Sequence, residues 1–261
     1  MNFGGKMRKN IKHPAYEYDT LASIYDHSVP DPPGFINFYE EITEGDNSVL
    51  YIGCGTGRLL EKISKKARVC VGVDPSEKSI EIAKERLKGQ ANVDLIIDEI
   101  PVLKNITDKF DRVIIAGGGM EYMLTTRKQM DALMRLKDLC KSDGVIAFDV
   151  SAPPFMTSNP LGNYIGKLEK RDEYMHPFIK SSSVRFGYDH YRQLVRSKCR
   201  FEPIESDPIE VEYITRYTTI SEWKLLLKLI NLKLCLYGDF EWGEVQRNSS
   251  NYVFVTDRFR G

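Results

Sequence analysis

The sequence predicts an α/β protein whose core is a doubly wound parallel sheet with helices on both faces. Between residues 47 and 150, short apolar runs alternate with amphipathic segments, which is the pattern of repeated strand–helix–strand units. The first run ends in a glycine-rich turn and the second ends in an aspartate. After residue 150, polar and apolar positions alternate instead, which predicts a small antiparallel β cap inserted after the fifth strand.

Five apolar runs are predicted as the strands of the parallel part of the sheet. They lie at residues 48–52, 68–73, 93–97, 110–116 and 145–150. Helices are expected at 58–64, at 75–87 and from 126 onwards, and the Asp-Gly pair at 143–144 predicts a turn into the fifth strand. Because helices of this length connect the strands, the crossovers should be right-handed.

The two ends of the chain should complete this layout. Residues 1–13 are basic and contain glycines, which predicts a mobile tail, and a short helix is expected at 34–42. Antiparallel strands are expected within 182–202 and at 209–217. The capping box at 219–222 should open a helix at 223–230, and two final strands are expected at 232–237 and 251–256.

Composition and charge exclude several classes of protein. Lys plus Arg and Asp plus Glu both number 37, and this zero net charge argues against a nucleic-acid or membrane-surface partner. No apolar run is long enough to span a bilayer, and the basic N-terminus lacks the apolar core of a signal peptide. Five widely spaced cysteines without a C-x-x-C pair predict reduced thiols in a cytoplasmic protein, with no metal site.

Residues 53–57, with the sequence Gly-Cys-Gly-Thr-Gly, form the most informative motif. They lie between a predicted strand and helix, where glycines let a ligand approach the backbone and the helix N-terminus offers free N–H groups. Asp74 lies 21 residues after Gly53, at the end of the next strand. A carboxylate there can accept hydrogen bonds from both hydroxyls of a ribose, which predicts an adenosine-type ligand.

The motifs along the chain together resemble those of the class I S-adenosylmethionine-dependent methyltransferases of the small-molecule type. Residues 49–57 resemble the first motif of this family, and the third glycine, Gly57, comes one residue too early for a dinucleotide fingerprint. Residues 71–76 resemble the second motif, 110–115 the fourth, and 139–148 the lead-in to the fifth strand. Residues 18–26 resemble a segment that closes over the cofactor, and 251–255 suit an antiparallel seventh strand.

This resemblance implies a division of the chain and a set of cofactor contacts. It implies an N-terminal tail and helical lid at 1–44 and a Rossmann-like cofactor core at 45–150. It further implies an antiparallel substrate cap at 151–215, and completion of a seven-stranded, mostly parallel sheet at 216–261. The residues implied to contact S-adenosylmethionine are Tyr25, Ile52, Gly53, Cys54, Gly55, Thr56, Gly57, Asp74, Pro75, Asp98, Glu99 and Ala116.

The acceptor side is predicted from residues near the end of the fourth strand and in the cap. Glu121 and Tyr122 follow three glycines that should border the crevice of the sheet, and His190 is the best base among the histidines. Aromatic residues of the cap, including Tyr164, Tyr174 and Phe186, can wall the site. The cap resembles those of sugar-amine and glycine-type N-methyltransferases. We therefore expect a small-molecule acceptor, nitrogen rather than oxygen, and a monomer or homodimer.

Three other functions stay open from the sequence alone. The family usually has an acid where this chain has Tyr51, which favours a cofactor-binding subunit without activity. A methyltransferase acting on RNA or protein would use the same cofactor with a different acceptor. The zero net charge argues against a nucleic-acid acceptor. The third alternative is a nicotinamide-dependent oxidoreductase. Measuring which nucleotide raises the melting temperature of the protein would distinguish it from a methyltransferase.

Overall fold

A computed structural model of the chain describes residues 19–28, 30–153, 171–204 and 206–256. The predicted tail at 1–13 and the cap residue Tyr164 lie outside the described residues. The backbone of Tyr174 and Phe186 belongs to strands, but their side chains are outside the description.

The strands lie in two sheets. In chain order they are β1 Gly45–Ile52, β2 Ala67–Asp74, β3 Val93–Ile97, β4 Phe110–Ile115, β5 Cys140–Ser151, β6 Arg171–His176, β7 Ile179–Asp189, β8 Leu194–Pro203, β9 Ile209–Arg216, β10 Leu234–Tyr237 and β11 Asn251–Thr256. The larger sheet has the order β3-β2-β1-β4-β5-β11-β10, and the smaller one has the order β6-β7-β8-β9. In the larger sheet β11 runs antiparallel to both neighbours.

The predicted fold class is confirmed by this arrangement. Seven strands form a mostly parallel sheet in which the last strand is antiparallel, and a separate antiparallel sheet follows the fifth strand. The strand order reverses between β1 and β4, because β1 pairs with β2 on one side and with β4 on the other. Loops at such a switch point leave a crevice at the carboxyl ends of the strands.

The helices cover both faces of this sheet. They are α1 Tyr25–Ser28, α2 Phe35–Thr43, α3 Arg58–Ile63, α4 Glu77–Arg86, α5 Thr126–Leu139 and α6 Ile220–Leu229, with a 3₁₀ turn at Gly119–Tyr122. Side chains of α5 and α6 pack on one face of the sheet, and side chains of α2, α3 and α4 pack on the other. The predicted capping box is present in part, because the Thr219 hydroxyl accepts the Glu222 N–H at 3.3 Å.

The turn predicted at residues 143–144 is wrong. Both residues lie inside β5, at a shift in register where Phe110 pairs with Cys140 but Arg112 pairs with Val145. A Cβ atom on Gly144 would lie 2.9 Å from the Asp111 carbonyl oxygen, so glycine is needed there for close packing of two strands. The extra residues are therefore absorbed as an irregularity within one strand.

The cap packs on the N-terminal segment as well as on the core. Leu21 lies in a small apolar cluster with Ile179, Phe201 and Val211 of the cap sheet. The Ser181 hydroxyl donates to the Ser28 carbonyl at 2.9 Å. In the part of the chain that the structure describes, no helix combines the length and apolar character needed to cross a membrane.

Candidate active site

A cavity of about 950 Å³ lies at the carboxyl edge of the large sheet. Its walls come from the glycine loop after β1, from the ends of β2, β4 and β5, and from the N-terminal segment. Thr215 of the cap strand β9 and Asn251 at the start of β11 also line it. A volume of this size can hold a cofactor and a small acceptor together.

The glycine loop presents its backbone to this cavity. Gly53, Gly55 and Gly57 have φ angles of 78°, 54° and 80°, a region that side chains disfavour. A Cβ atom on Gly53 or Gly55 would meet nothing within 4 Å, so both positions face open space. A Cβ atom on Gly57 would lie 3.1 Å from the Ala83 Cβ, so this glycine packs α3 against α4 and does not line the cavity.

Asp74 joins the glycine loop to the end of β2. Its carboxylate accepts the Gly55 N–H at 2.8 Å and the Ser76 N–H at 2.9 Å, and its side chain faces the cavity with the residue only 8% exposed. Burial raises the pKa of this carboxyl, and the two backbone hydrogen bonds oppose the rise. The carboxylate is therefore fixed in position and keeps acceptor sites for ligand hydroxyls.

The N-terminal segment is held over the glycine loop by three aspartates. Asp26 accepts the Thr56 hydroxyl at 2.6 Å, and Asp31 accepts a guanidinium N–H of Arg58 at 2.7 Å. Asp19 accepts the Ser76 hydroxyl at 2.6 Å. Tyr25, between these anchors, lines the cavity, and burial raises the pKa of its phenol to about 12.

Asp98 and Glu99, two of the implied cofactor contacts, lie on the wall formed after β3. Asp98 accepts the Glu99 N–H at 2.8 Å and the Asn105 N–H at 3.2 Å. Both Asp98 and Glu99 line the cavity, together with the loop up to Val102. The hydrogen bonds to Asp98 fix the start of this loop.

Asp149, at the end of β5, is a cavity residue that the sequence analysis missed. Asp149 is 4% exposed. Its carboxylate accepts the Tyr39 hydroxyl at 2.6 Å and the N–H groups of Gly117 and Gly118 at 2.9 and 3.0 Å. Burial, opposed by these bonds, raises its pKa to about 6. The available signal was a lone acid inside an apolar strand.

Glu121 and Tyr122 also line the cavity, as predicted for this loop. The Glu121 carboxylate accepts the Ser151 N–H at 2.6 Å, and burial raises its pKa while Arg185 of the cap opposes the rise. The loop after β4 and the end of β5 therefore hold each other in place. Asp149 accepts N–H groups of the loop after β4, and Glu121 accepts an N–H group at the end of β5.

His190 does not lie at this cavity. It sits exposed at the turn between β7 and β8, where its Nδ1 atom is 3.1 Å from the Tyr217 hydroxyl and its ring stacks on Tyr188. The tyrosine-rich stretch that suggested a substrate wall ends here in a hairpin, and a hairpin turn faces solvent. The structure therefore gives no support to His190 as the base.

The cavity brings together most of the residues implied by the resemblance. The cofactor-contact candidates that line it are Tyr25, Ile52, Gly53, Cys54, Gly55, Thr56, Asp74, Pro75, Asp98, Glu99 and Ala116. Tyr51 lines it too, and burial raises the pKa of its phenol, so the family's usual acid is replaced by a neutral hydroxyl. Among the described residues, no group of three or more His, Cys, Asp or Glu is arranged to hold a metal ion.

Comparison with known proteins agrees with this geometry. Residues 49–144 match the family model of the methyltransferase domain. A Geobacillus sp. protein whose name assigns it, provisionally, to the methyltransferases is 30% identical over 141 residues, covering 51% of this chain and 57% of that protein. The chain thus spans just over half the length of the curated relatives it matches.

Two solved structures show the same fold along most of the chain. The CcbJ methyltransferase from Streptomyces caelestis has a TM-score of 0.77 at 18% identity, covering 91% of this chain and 96% of that one. CalS10 from Micromonospora echinaspora, an amino pentose methyltransferase with SAM bound, has a TM-score of 0.63 at 14% identity, covering 95% and 99%.

The matched domain and the shared fold both support the resemblance to the class I S-adenosylmethionine-dependent methyltransferases found in the motifs. The methyltransferase domain itself occupies residues 49–144, the part that carries the glycine loop, Asp74 and the loop after β4.

Proposed function

We propose that this protein transfers a methyl group from S-adenosylmethionine to a small-molecule acceptor, with nitrogen favoured over oxygen. The observation that carries the proposal is one continuous cavity. The same space is lined by the glycine loop with Asp74 and by Glu121, Tyr122 and Asp149. A cofactor and an acceptor bound there would share one continuous volume, as direct transfer requires.

The residues present fit the cofactor. The backbone at Gly53 and Gly55 faces open space, so a ligand can touch the main chain there. Asp74 presents a fixed carboxylate for ribose hydroxyls, and Asp98 and Glu99 line the wall of the same cavity after β3. The CalS10 structure with SAM bound supports the same cofactor for this fold.

S-adenosylmethionine, when bound, supplies a methyl group on a sulfonium that needs no further activation. The protein must therefore hold the nucleophile in line with the breaking bond and exclude water. Positioning of this kind can supply roughly 7–11 kcal/mol of the barrier. The N-terminal segment, tied down through Asp26 and Asp31, and Thr215 of the cap strand β9 form parts of the cavity wall, which limits the access of water.

Nitrogen is favoured because of which side chains line the cavity. A basic amine is a cation in water and is attracted to acidic side chains, whereas an alcohol carries no charge for them to attract. The cavity-lining residues within the described ranges include no histidine, but they do include the acids Glu121 and Asp149, which suit a basic acceptor. CalS10, which acts on an amino pentose, is consistent with this choice.

Calorimetry with S-adenosylmethionine and S-adenosylhomocysteine tests the cofactor, and transfer of labelled methyl to a panel of amines and alcohols tests the reaction. We expect micromolar binding of both nucleosides and label in amines. Failure of both to bind would contradict the proposal. Binding without transfer to any amine or phenol would instead favour a cofactor-binding subunit without activity, the alternative that Tyr51 suggests.

A further inference from the structure

Two acids, Glu121 and Asp149, line the cavity near the carboxyl ends of β4 and β5. Neither is among the residues implied to contact the cofactor, so cofactor binding does not explain them. Asp149 and Glu121 lie close enough for the charge on Glu121 to raise the pKa of Asp149. Both are held by backbone N–H groups, at distances between 2.6 and 3.0 Å. Their carboxylates are therefore preorganised before any ligand arrives.

The hydrogen bonds to the Asp149 carboxylate leave one of its lone-pair positions for a ligand. A carboxylate offers about four lone-pair sites. Among the described residues, its Oδ1 atom accepts the Tyr39 hydroxyl and the Gly117 N–H, whereas Oδ2 accepts the Gly118 N–H alone. One position on Oδ2 thus remains for a donor from the cavity that Asp149 lines.

The charges around Asp149 are unbalanced. Within the described ranges, the ionisable groups that act on it are the Tyr39 phenol on α2, the Tyr51 phenol on β1 and the Glu121 carboxyl after β4, and none of these is a cation. Among the described residues that line the cavity, the cations are Arg58, which pairs with Asp31, and Lys128, which is exposed. Arg185 acts on Glu121. A buried anion without a cation is costly, and a cationic ligand group would offset that cost.

We propose that Asp149 receives the acceptor as an ammonium ion and accepts the proton that it must lose, so that the acceptor is an aliphatic amine. This inference rests on the proposed function. One N–H bond of the ammonium breaks and its proton moves to Oδ2, which leaves the lone pair on nitrogen. That pair forms the new C–N bond to the methyl group, while the electron pair of the broken C–S bond stays on sulfur. The products are a methylated ammonium ion and a neutral thioether.

Burial brings the pKa of the Asp149 carboxyl and the pKa of the bound ammonium closer together. Burial raises the pKa of Asp149 to about 6, and burial of an ammonium lowers its pKa, so the proton transfer becomes less unfavourable than in water. Glu121, whose pKa is also raised by burial, adds negative charge on the same side. Aromatic amines and amides, which are neutral in water, would gain little from this arrangement.

The test compares amines with alcohols of the same carbon frame, cyclohexylamine with cyclohexanol and glucosamine with glucose, bound to protein saturated with S-adenosylhomocysteine. In the wild type, the amines should bind more tightly, and their affinity should rise as the pH increases through about 6, where Asp149 ionises. Asp149→Asn should weaken amine binding about 10- to 100-fold and leave the alcohols unchanged. Asp143→Asn, an exposed acid on the same strand, is the matched control.

Tyr39→Phe gives a second measurement that does not depend on Asp149→Asn folding. The Tyr39 hydroxyl lowers the pKa of Asp149, so its removal should move the pH midpoint of amine binding upwards by about one pH unit. Equal binding of amines and alcohols, or an amine preference that survives in Asp149→Asn, would overturn the inference. Loss of S-adenosylhomocysteine binding by the wild type would instead overturn the proposed function.

Discussion

The two ends of the cavity hold their acids in different ways. At the end proposed for the cofactor, hereafter the cofactor end, Asp74 accepts N–H groups from Gly55, 19 residues before it, and from Ser76, two residues after it. At the end proposed for the acceptor, hereafter the acceptor end, Asp149 accepts hydrogen bonds from Gly117 and Gly118, 32 and 31 residues away, and from Tyr39, 110 residues away.

This difference separates a self-contained site from an assembled one. The glycine loop and Asp74 of the cofactor end are built within one strand–loop–helix–strand unit, so their geometry follows from a short piece of sequence. The acceptor end forms only when α2, the loop after β4 and the end of β5 meet. Substitutions at the first end should therefore act locally, and those at the second should affect how separate segments hold together.

The largest effect is expected where the cap joins the core. Arg216, only 3% exposed, connects β9 to both flanking helices of the core. Its guanidinium contacts Gln129, Thr126, Thr218, Gln193 and Glu222. Arg216→Met would remove the cation that pairs with Glu222 and a donor to the buried Gln129 and Thr218, and we expect a loss of about 3–5 kcal/mol in the free energy of unfolding, measured with urea.

The control for this change is Arg200→Met on the exposed side of the cap. Arg200 pairs with Glu202 and Glu210 at the surface, where ion pairs contribute little, so we expect a much smaller loss than in Arg216→Met. Equal losses in the two variants would show that Arg216 does not anchor the cap.

The second effect concerns the pH dependence of stability at the acceptor end. The pKa of Asp149 is raised in the folded state to about 6 from 3.8, so the folded protein binds this proton more tightly than the unfolded chain. Its contribution to stability is thus complete below about pH 4 and is lost as the pH rises to about 6, by on the order of 3 kcal/mol.

Asp149→Asn should remove this component from the profile of unfolding free energy against pH, measured without ligand. The control Asp143→Asn should keep the wild-type slope. A wild-type slope in Asp149→Asn would contradict the assignment of the raised pKa to this carboxyl.

The third effect tests the cofactor end through Asp74→Ala. We expect S-adenosylmethionine binding to weaken by about 1.5–3 kcal/mol in calorimetry, because a charged acceptor of two hydroxyl hydrogen bonds is lost. Asp94→Ala on β3, an exposed acid, should leave the affinity unchanged. Unchanged affinity in Asp74→Ala would defeat the ribose assignment.

The smallest effects separate two glycines of the same loop. Alanine at either Gly55 or Gly57 must adopt a left-handed conformation, at a cost of about 1–2 kcal/mol. Gly57→Ala also crowds the Ala83 Cβ at 3.1 Å, so it should lower the melting temperature more than Gly55→Ala does. Gly55→Ala, whose Cβ enters the cavity, should weaken cofactor binding more. The reverse order would contradict the placement of these glycines.

The prediction from sequence succeeded where neighbouring residues in the chain decide the structure. The strand at 93–97 was predicted with its observed bounds, and the start of α5 at Thr126 was predicted correctly. The glycine loop and Asp74 were found because their spacing reflects one continuous strand–loop–strand path. The turn at 143–144 failed because packing of β4 against β5 absorbed the Asp-Gly pair into a strand.

The sequence by itself determined the fold class and the cofactor end of the cavity, since alternating apolar runs and the glycine–aspartate spacing act over short separations. Only the tertiary structure decided the acceptor end. It placed Asp149 beside Tyr39, and it left His190 on a solvent-facing turn. The physical reason is that a hydrogen bond across 110 residues depends on how helices and strands pack, and no local pattern encodes that packing.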